Sequence, residues 1–212
     1  DFDASKHSHR RFNPLTGDWV LVGPGRSERP WFGSTVSSDL PPPQRFDIDC
    51  HLCPGNTRVS GAVNPNYEGT FVFTNDFSPF TCNNPMSVEE SKDELIRMET
   101  VDGISRVICY SPHHSRTLPE LSNHSVRQII DTWCEQLNEL GKRFIWVQIF
   151  ENKGEVMGCS QPHPHGQIWA TNFLPSEIVR KDQNLRSYHE TLGENLLMDY
   201  LSKELDDGSR SV

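Results

Sequence analysis

Gly158-Cys159-Ser160-Gln161-Pro162-His163-Pro164-His165-Gly166-Gln167-Ile168 places two imidazoles one residue apart, each preceded by a proline, with a glycine and an amide following. Proline biases the residue before it toward extended backbone, so Gln161 and His163 are expected to be extended. Extended backbone displays side chains on alternating faces. Read as a strand, the run puts His163, His165 and Gln167 on one face, a line of polar groups directed at a common object. Packing alone does not demand such an arrangement.

Outward from this stretch, short β-rich runs recur at residues 19–22, 70–74, 106–110, 145–150 and 166–170, separated by Pro, Gly and Asn clusters. The pattern predicts an antiparallel sheet. Between the third and fourth runs, Val126, Ile129, Ile130, Trp133, Leu137 and Leu140 recur at helical spacing, with Ser122 as cap and Gly141 as stop. That apolar stripe is expected to cover one face of the sheet. Two further helical segments follow Pro175, at 176–189 and 194–205, the second with Leu196, Leu197, Tyr200 and Leu205 as its apolar side. Residues 34–44, with Pro41-Pro42-Pro43, read as a surface loop. Trp19, Trp133 and Trp146 are assigned to the core. No internal repeat is visible, and strands interspersed with helices place the chain in the α+β class.

A length of 212 residues allows one large or two small domains, and 34% hydrophobic residues supply a modest core. No apolar stretch approaches the ~20 residues of a membrane span, and residues 1–11 are polar, unlike a signal peptide. A soluble cytoplasmic protein with no membrane partner is expected. The formal charge of -9 and a pI near 5.4 argue against nucleic-acid binding, because counterion release requires clustered cations. An anionic small substrate would need a local basic pocket.

Cys50-x-x-Cys53 has the spacing that lets two thiolates bind one ion, and Pro54-Gly55 follows as a turn. The remaining cysteines, Cys82, Cys109, Cys134 and Cys159, are scattered, a pattern of one metal pair plus reduced thiols rather than a disulfide set. Zinc commonly takes four ligands. Nothing in the spacing selects two more among the nine histidines.

The blocks Arg10-Arg11-Phe12-Asn13-Pro14-Leu15-Thr16-Gly17, Glu28-Arg29-Pro30-Trp31, Phe73-Thr74-Asn75-Asp76-Phe77, Thr117-Leu118-Pro119-Glu120, Phe150-Glu151-Asn152-Lys153-Gly154 and the histidine stretch itself are ordered along nearly the whole chain. In these blocks the chain resembles the galactose-1-phosphate uridylyltransferase family, the nucleotidyl-transfer branch of the histidine-triad superfamily. One letter of the signature departs: Gln161 stands where the family usually has Asn, another amide. The resemblance implies a histidine-triad-like antiparallel sheet with packed helices, residues 1–212 forming the first of two related halves, the second half being absent. It implies a full-length homodimer and a zinc ion held by Cys50, Cys53, His114 and His163. His113 competes with His114, and the register against Ser115 and Thr117 favours His114.

By the same resemblance His165 attacks the α-phosphorus of UDP-glucose, releasing glucose 1-phosphate and leaving a uridylyl-histidine that galactose 1-phosphate takes off as UDP-galactose. Gln167 stands where hydrolytic relatives carry a proton-donating histidine, which favours transfer. Arg26 and Arg29 match phosphate contacts, Val59, Asn75 and Asp76 match the uridine pocket, and Asn152, Gly158, Cys159 and Ser160 match residues around the phosphates. Lys181 falls where some members carry an acidic iron ligand, so no iron site is expected. The competing readings are a nucleotide-sugar phosphorylase or adenylyltransferase of the same superfamily, and a zinc-stabilised half-protein that binds without turnover.

Overall fold

The structure, a computed structural model, describes residues 1–28, 43–80, 95–96, 98–159 and 161–209. In chain order the regular elements are β1 (His9–Asn13), β2 (Asp18–Val22), β3 (Phe71–Thr74), β4 (Gly103–Cys109), α1 (Asn123–Leu140), β5 (Trp146–Phe150), β6 (His165–Thr171), α2 (Ser176–Leu192) and α3 (Leu196–Asp207). They fall into two compact units, Asp39–Phe173, and Asp1–Ser38 with Leu174–Val212.

Within Asp39–Phe173, β3, β4, β6 and β5 form an antiparallel sheet in that order. Alternation sorts its residues. Ile108, Ile168 and Ala170 point to one face and are fully buried against Ile129, Leu140 and Phe144, with Trp133 packed alongside. The α1 stripe therefore covers one sheet face, as its spacing predicts. Burying each large aliphatic side chain here is worth roughly 1.5–3 kcal/mol. Ser122 caps α1 by accepting from the Ser125 N–H, and Arg106, on the helix side of the sheet, ties β4 to α1 through two bonds to Glu139 of 2.7 and 2.9 Å. Ile130 and Leu137 differ from expectation, being about half exposed. They lie seven residues apart on the flank of α1, while Ile129, Trp133 and Leu140 look at the sheet.

The unit of Asp1–Ser38 and Leu174–Val212 holds the β1–β2 hairpin and the α2–α3 pair. Asn184 of α2 donates to the Leu15 carbonyl in the hairpin turn at 3.0 Å, and Tyr188 of α2 donates to Asp199 of α3 at 2.8 Å. Trp19 is not a core residue. It is 56% exposed, because among the described residues the two-stranded ribbon has no further layer over it, and its ring meets Phe12 and the Arg10 guanidinium, 5.0 Å from its centroid. Trp146, at the start of edge strand β5, is half-buried.

The expected loop at 34–44 lies outside the described residues except for its last two positions. Among the described residues no helix is long and apolar enough to cross a membrane. Cys50, Cys53, Cys109, Cys134 and Cys159 are free thiols, while Cys82 lies outside the described residues.

Candidate active site and metal centre

The sheet face opposite α1 carries the chemistry. Two cross-strand rows run over it, Phe71, Cys109 and His165 in one and Phe73, Val107, Gln167 and Phe150 in the next. The buried Cys50, Leu52 and Cys53 pack on Val107 and Cys109 at one side of these rows. A knuckle thus roofs part of the face and leaves the rest open.

Two asparagines fix the knuckle backbone. Asn56 Nδ2 donates to the carbonyls of Asp47, Ile48 and Cys50, and Asn64 Nδ2 donates to those of His51 and Cys53. Thus held, the Leu52 N–H points at Cys50 Sγ at 3.3 Å. His114 and His163 complete a buried group in which one ligand atom from each of Cys50, Cys53, His114 and His163 lies within 4.8 Å of the others. Sγ of Cys53 is 3.6 Å from Nδ1 of both His114 and His163, and Sγ of Cys50 is 3.8 Å from Nδ1 of His163.

Zinc at ~2.3 Å from sulfur and ~2.0 Å from nitrogen in a tetrahedron sets ligand–ligand edges of roughly 3.3–3.8 Å. The three thiol–imidazole distances fall within that range. The outer ring nitrogens are also engaged: His163 Nε2–H donates to the Ser111 carbonyl at 3.0 Å, and His114 Nε2 is 3.8 Å from an Asp47 carboxylate oxygen. Such outer partners orient ligating imidazoles. His113, the competing candidate, is not in the group.

Burial favours the neutral forms of Cys50 and His163. It pushes the Cys50 thiol up to about 12 and the His163 imidazole down to about 4, since both charged forms lose hydration. A divalent cation bound here would supply the charge that turns buried thiols into thiolates.

His163 lies just before the strand that carries His165 and Gln167. The ladder begins only at the His165–Cys109 pair, because Pro162 and Pro164 have no N–H to give it. The His163 ring turns inward to the thiols while its backbone carbonyl turns outward. That carbonyl accepts from His165 Nδ1–H at 2.8 Å. The bond places the proton on Nδ1 and leaves Nε2 of His165 with a free lone pair, the condition for a neutral nucleophile. One residue, His163, thereby meets the two thiols with its side chain and His165 with its backbone.

Gly166 keeps His165 in this place. On its core side a Cβ would meet the Tyr110 hydroxyl and would stand 3.1 Å from Ile108 Cγ2. We expect Gly166→Ala to cost about 1–3 kcal/mol through overpacking and to move His165. Tyr110→Phe added to it should recover part of the loss. A melting temperature unchanged by Gly166→Ala would contradict this.

His165 and Gln167 line a cleft of about 520 Å³ with Val59, Phe73, Asn75, Asp76, Asn152, Gly158 and Cys159. Leu52, Val59, Phe73 and Phe77 make an apolar wall, and Asn75 and Asp76 supply polar groups beside it. Gly158 adopts φ 76, a left-handed conformation that glycine takes without strain. A smaller cleft of about 340 Å³, with Thr117, Glu151 and Lys153, adjoins it at His165.

Of the remaining sequence candidates, Arg26 is exposed in a 3-10 turn, Pro24–Glu28, of the other compact unit. Arg29 and Ser160 lie outside the described residues. Lys181 pairs with Glu177 at 2.6 Å on α2. Sequence reasoning missed Arg58, which lines the larger cleft and pairs with Asp76. Its only sequence signal is adjacency to Val59.

A family model described as the galactose-1-phosphate uridyl transferase N-terminal domain matches residues 1–175. The galactose-1-phosphate uridylyltransferase of Haemophilus influenzae is 48% identical over 204 residues, covering 96% of this chain and 58% of that protein. That of Rattus norvegicus is 45% identical over 204 residues, 96% of this chain and 54% of the relative. The chain therefore spans less than two thirds of these relatives' length. Among solved structures, an ADP-glucose phosphorylase from Arabidopsis thaliana with bound ADP-glucose superimposes with a TM-score of 0.63 at 22% identity, covering 89% of this chain and 56% of that one. A uridylyltransferase structure gives 0.63 at 21%, covering 93% and 56%. These two likenesses establish the fold alone.

Proposed function

The chain belongs to the galactose-1-phosphate uridyl transferase family, and from that premise we propose that it carries the uridylyl-accepting half of a transferase moving UMP from UDP-glucose to galactose 1-phosphate. The observation that carries the reading is the 2.8 Å bond from His165 Nδ1 to the His163 carbonyl, with His165 lining the large cleft. Nε2 of His165 attacks the α-phosphorus. The bond from that phosphorus to the bridging oxygen breaks, and glucose 1-phosphate leaves with the electron pair. The imidazole shares its developing positive charge through Nδ1–H with the His163 carbonyl. A phosphate oxygen of galactose 1-phosphate then attacks the same phosphorus, the P–N bond breaks, and Nε2 regains its lone pair as UDP-galactose departs.

Gln167, beside His165 on the cleft face, donates to the phosphoryl oxygens rather than protonating the leaving group, which a sugar phosphate does not need. Val59 and Phe77 wall the base, Asn75 and Asp76 hold the ribose, and Asn152, Gly158 and Cys159 surround the phosphates. Cys50, Cys53, His114 and His163 hold zinc in a structural role, fixing the His163 carbonyl against His165. Residues 1–212 are the first of two related halves, and the full-length protein works as a cytoplasmic homodimer.

Donor choice separates this reading from an adenylyl one. Mixed in stoichiometric amounts with UDP-glucose, the chain is expected to release glucose 1-phosphate in a single turnover, and to release little from ADP-glucose. The opposite preference would favour the adenylyltransferase reading. Release from neither would leave a half-protein that binds without turnover.

A further inference from the structure

Arg58 is an unusual charge for an apolar wall. Its side chain is 15% exposed, as is that of Asp76, and Nη1 of Arg58 stands 3.5 Å from Asp76 Oδ1. Its guanidinium carbon lies 4.2 Å from the centroid of the Phe73 ring. Phe73 stacks on Phe71 at 5.3 Å, Phe71 stacks on Tyr67 at 5.1 Å, and the Tyr67 hydroxyl donates to the Leu52 carbonyl in the knuckle at 2.6 Å. Arg58 thus ends an aromatic column that rises from the metal knuckle. A tight turn fixes its backbone, with Arg58 N–H donating to the Ala62 carbonyl at 2.8 Å and the Gly61 N–H returning to the Arg58 carbonyl at 2.9 Å.

Two of its donors, Nε and Nη1, are shut off from solvent and make no hydrogen bond. Burying a cation in this way is costly unless a partner ion offsets it. Among the described residues the column and the turn direct the guanidinium toward one carboxylate, that of Asp76. In a cleft that takes an anionic ligand, an unneutralised carboxylate would repel it, whereas one held by a stacked guanidinium is both neutralised and fixed in direction.

Resting on the nucleotide reading above, we propose that Arg58 is a positioning residue for the donor nucleotide: it orients and neutralises Asp76 so that the carboxylate accepts hydrogen bonds from the ribose hydroxyls. Arg58 therefore acts on ribose recognition through Asp76, without contacting the reacting phosphorus.

Equilibrium binding of UDP, 2′-deoxy-UDP and 3′-deoxy-UDP to the chain tests this. The unsubstituted chain should prefer UDP over at least one deoxy analogue by about tenfold, the loss of one charge-assisted hydrogen bond. Arg58→Met should weaken UDP binding by about that factor and erase the preference, while Arg58→Lys, which keeps a charge beside Asp76, restores part of it. Asp76→Asn should also erase it, and Arg58→Met added to Asp76→Asn should change the ratio no further. That arm holds the test even where Arg58→Met destabilises the fold. An Arg58→Met chain that weakens UDP and both deoxy analogues equally, keeping the preference, would overturn the inference while sparing the nucleotide reading. Failure of the unsubstituted chain to bind UDP at all would overturn both.

Discussion

His165→Ala is expected to abolish transfer of the uridylyl group to the protein while leaving the fold in place. The side chain points into the cleft from a strand whose ladder with β4 is made by backbone atoms, so truncation removes no core packing. Substitutions of that kind change stability by roughly 1 kcal/mol or less. The chemical loss is far larger. Splitting one displacement into two depends on a nucleophile that forms and releases the P–N bond, and removal of a nucleophile costs on the order of 10⁴-fold or more in turnover. His163 offers no replacement, since its Nδ1 faces the thiols and its Nε2–H is given to Ser111. Circular dichroism and melting of the variant, with the exchange rate measured in a chain extended to the length of the relatives, separate the two effects. An adduct that survives in His165→Ala would move the nucleophile to His163 and break the account of the metal group as well.

Cys53→Ser and His163→Asn are expected to lower bound zinc from about one per chain and to lower the melting temperature together with it. A site assembled from residues 50, 53, 114 and 163 exists only in the folded chain, so its binding free energy is linked to folding. A thousandfold loss of affinity removes about 4 kcal/mol of linked stability, or roughly 10 °C for a chain of this size. A chelator should reproduce the shift in the unsubstituted chain and add little to the Cys53→Ser shift. The linkage should also reach the chemistry, because the carbonyl that sets the His165 tautomer belongs to His163. Melting that is unchanged after complete removal of zinc would contradict a structural role.

What could be read from sequence, and what could not, divides along the range of the signal. The α1 stripe and the four sheet strands show in local periodicity, and the cleft residues Val59, Asn75, Asp76, Asn152 and Gly158 show in the family resemblance. β1 does not show, because His9-Arg10-Arg11-Phe12-Asn13 has no apolar alternation and its ribbon buries little. Two-residue spacing reads His163 as part of the strand, but it takes no account of prolines without N–H groups, which delay the ladder until His165. Trp19 reads as core because of its size, and among the described residues the ribbon that bears it has no layer to bury it. Arg58 is invisible for a different reason: its meaning lies in a column of Tyr67, Phe71 and Phe73, drawn together only by the fold.

His165 is expected to carry a covalent uridylyl group in the course of transfer. Intact mass spectrometry of the unsubstituted chain after mixing with UDP-glucose, followed by peptide mapping at neutral to alkaline pH, tests it most directly. The account predicts a gain of one uridylyl group located on His165, discharged when galactose 1-phosphate is added to the extended chain. A mass that stays unchanged while UDP-glucose is bound, or a label on any other residue, would contradict it.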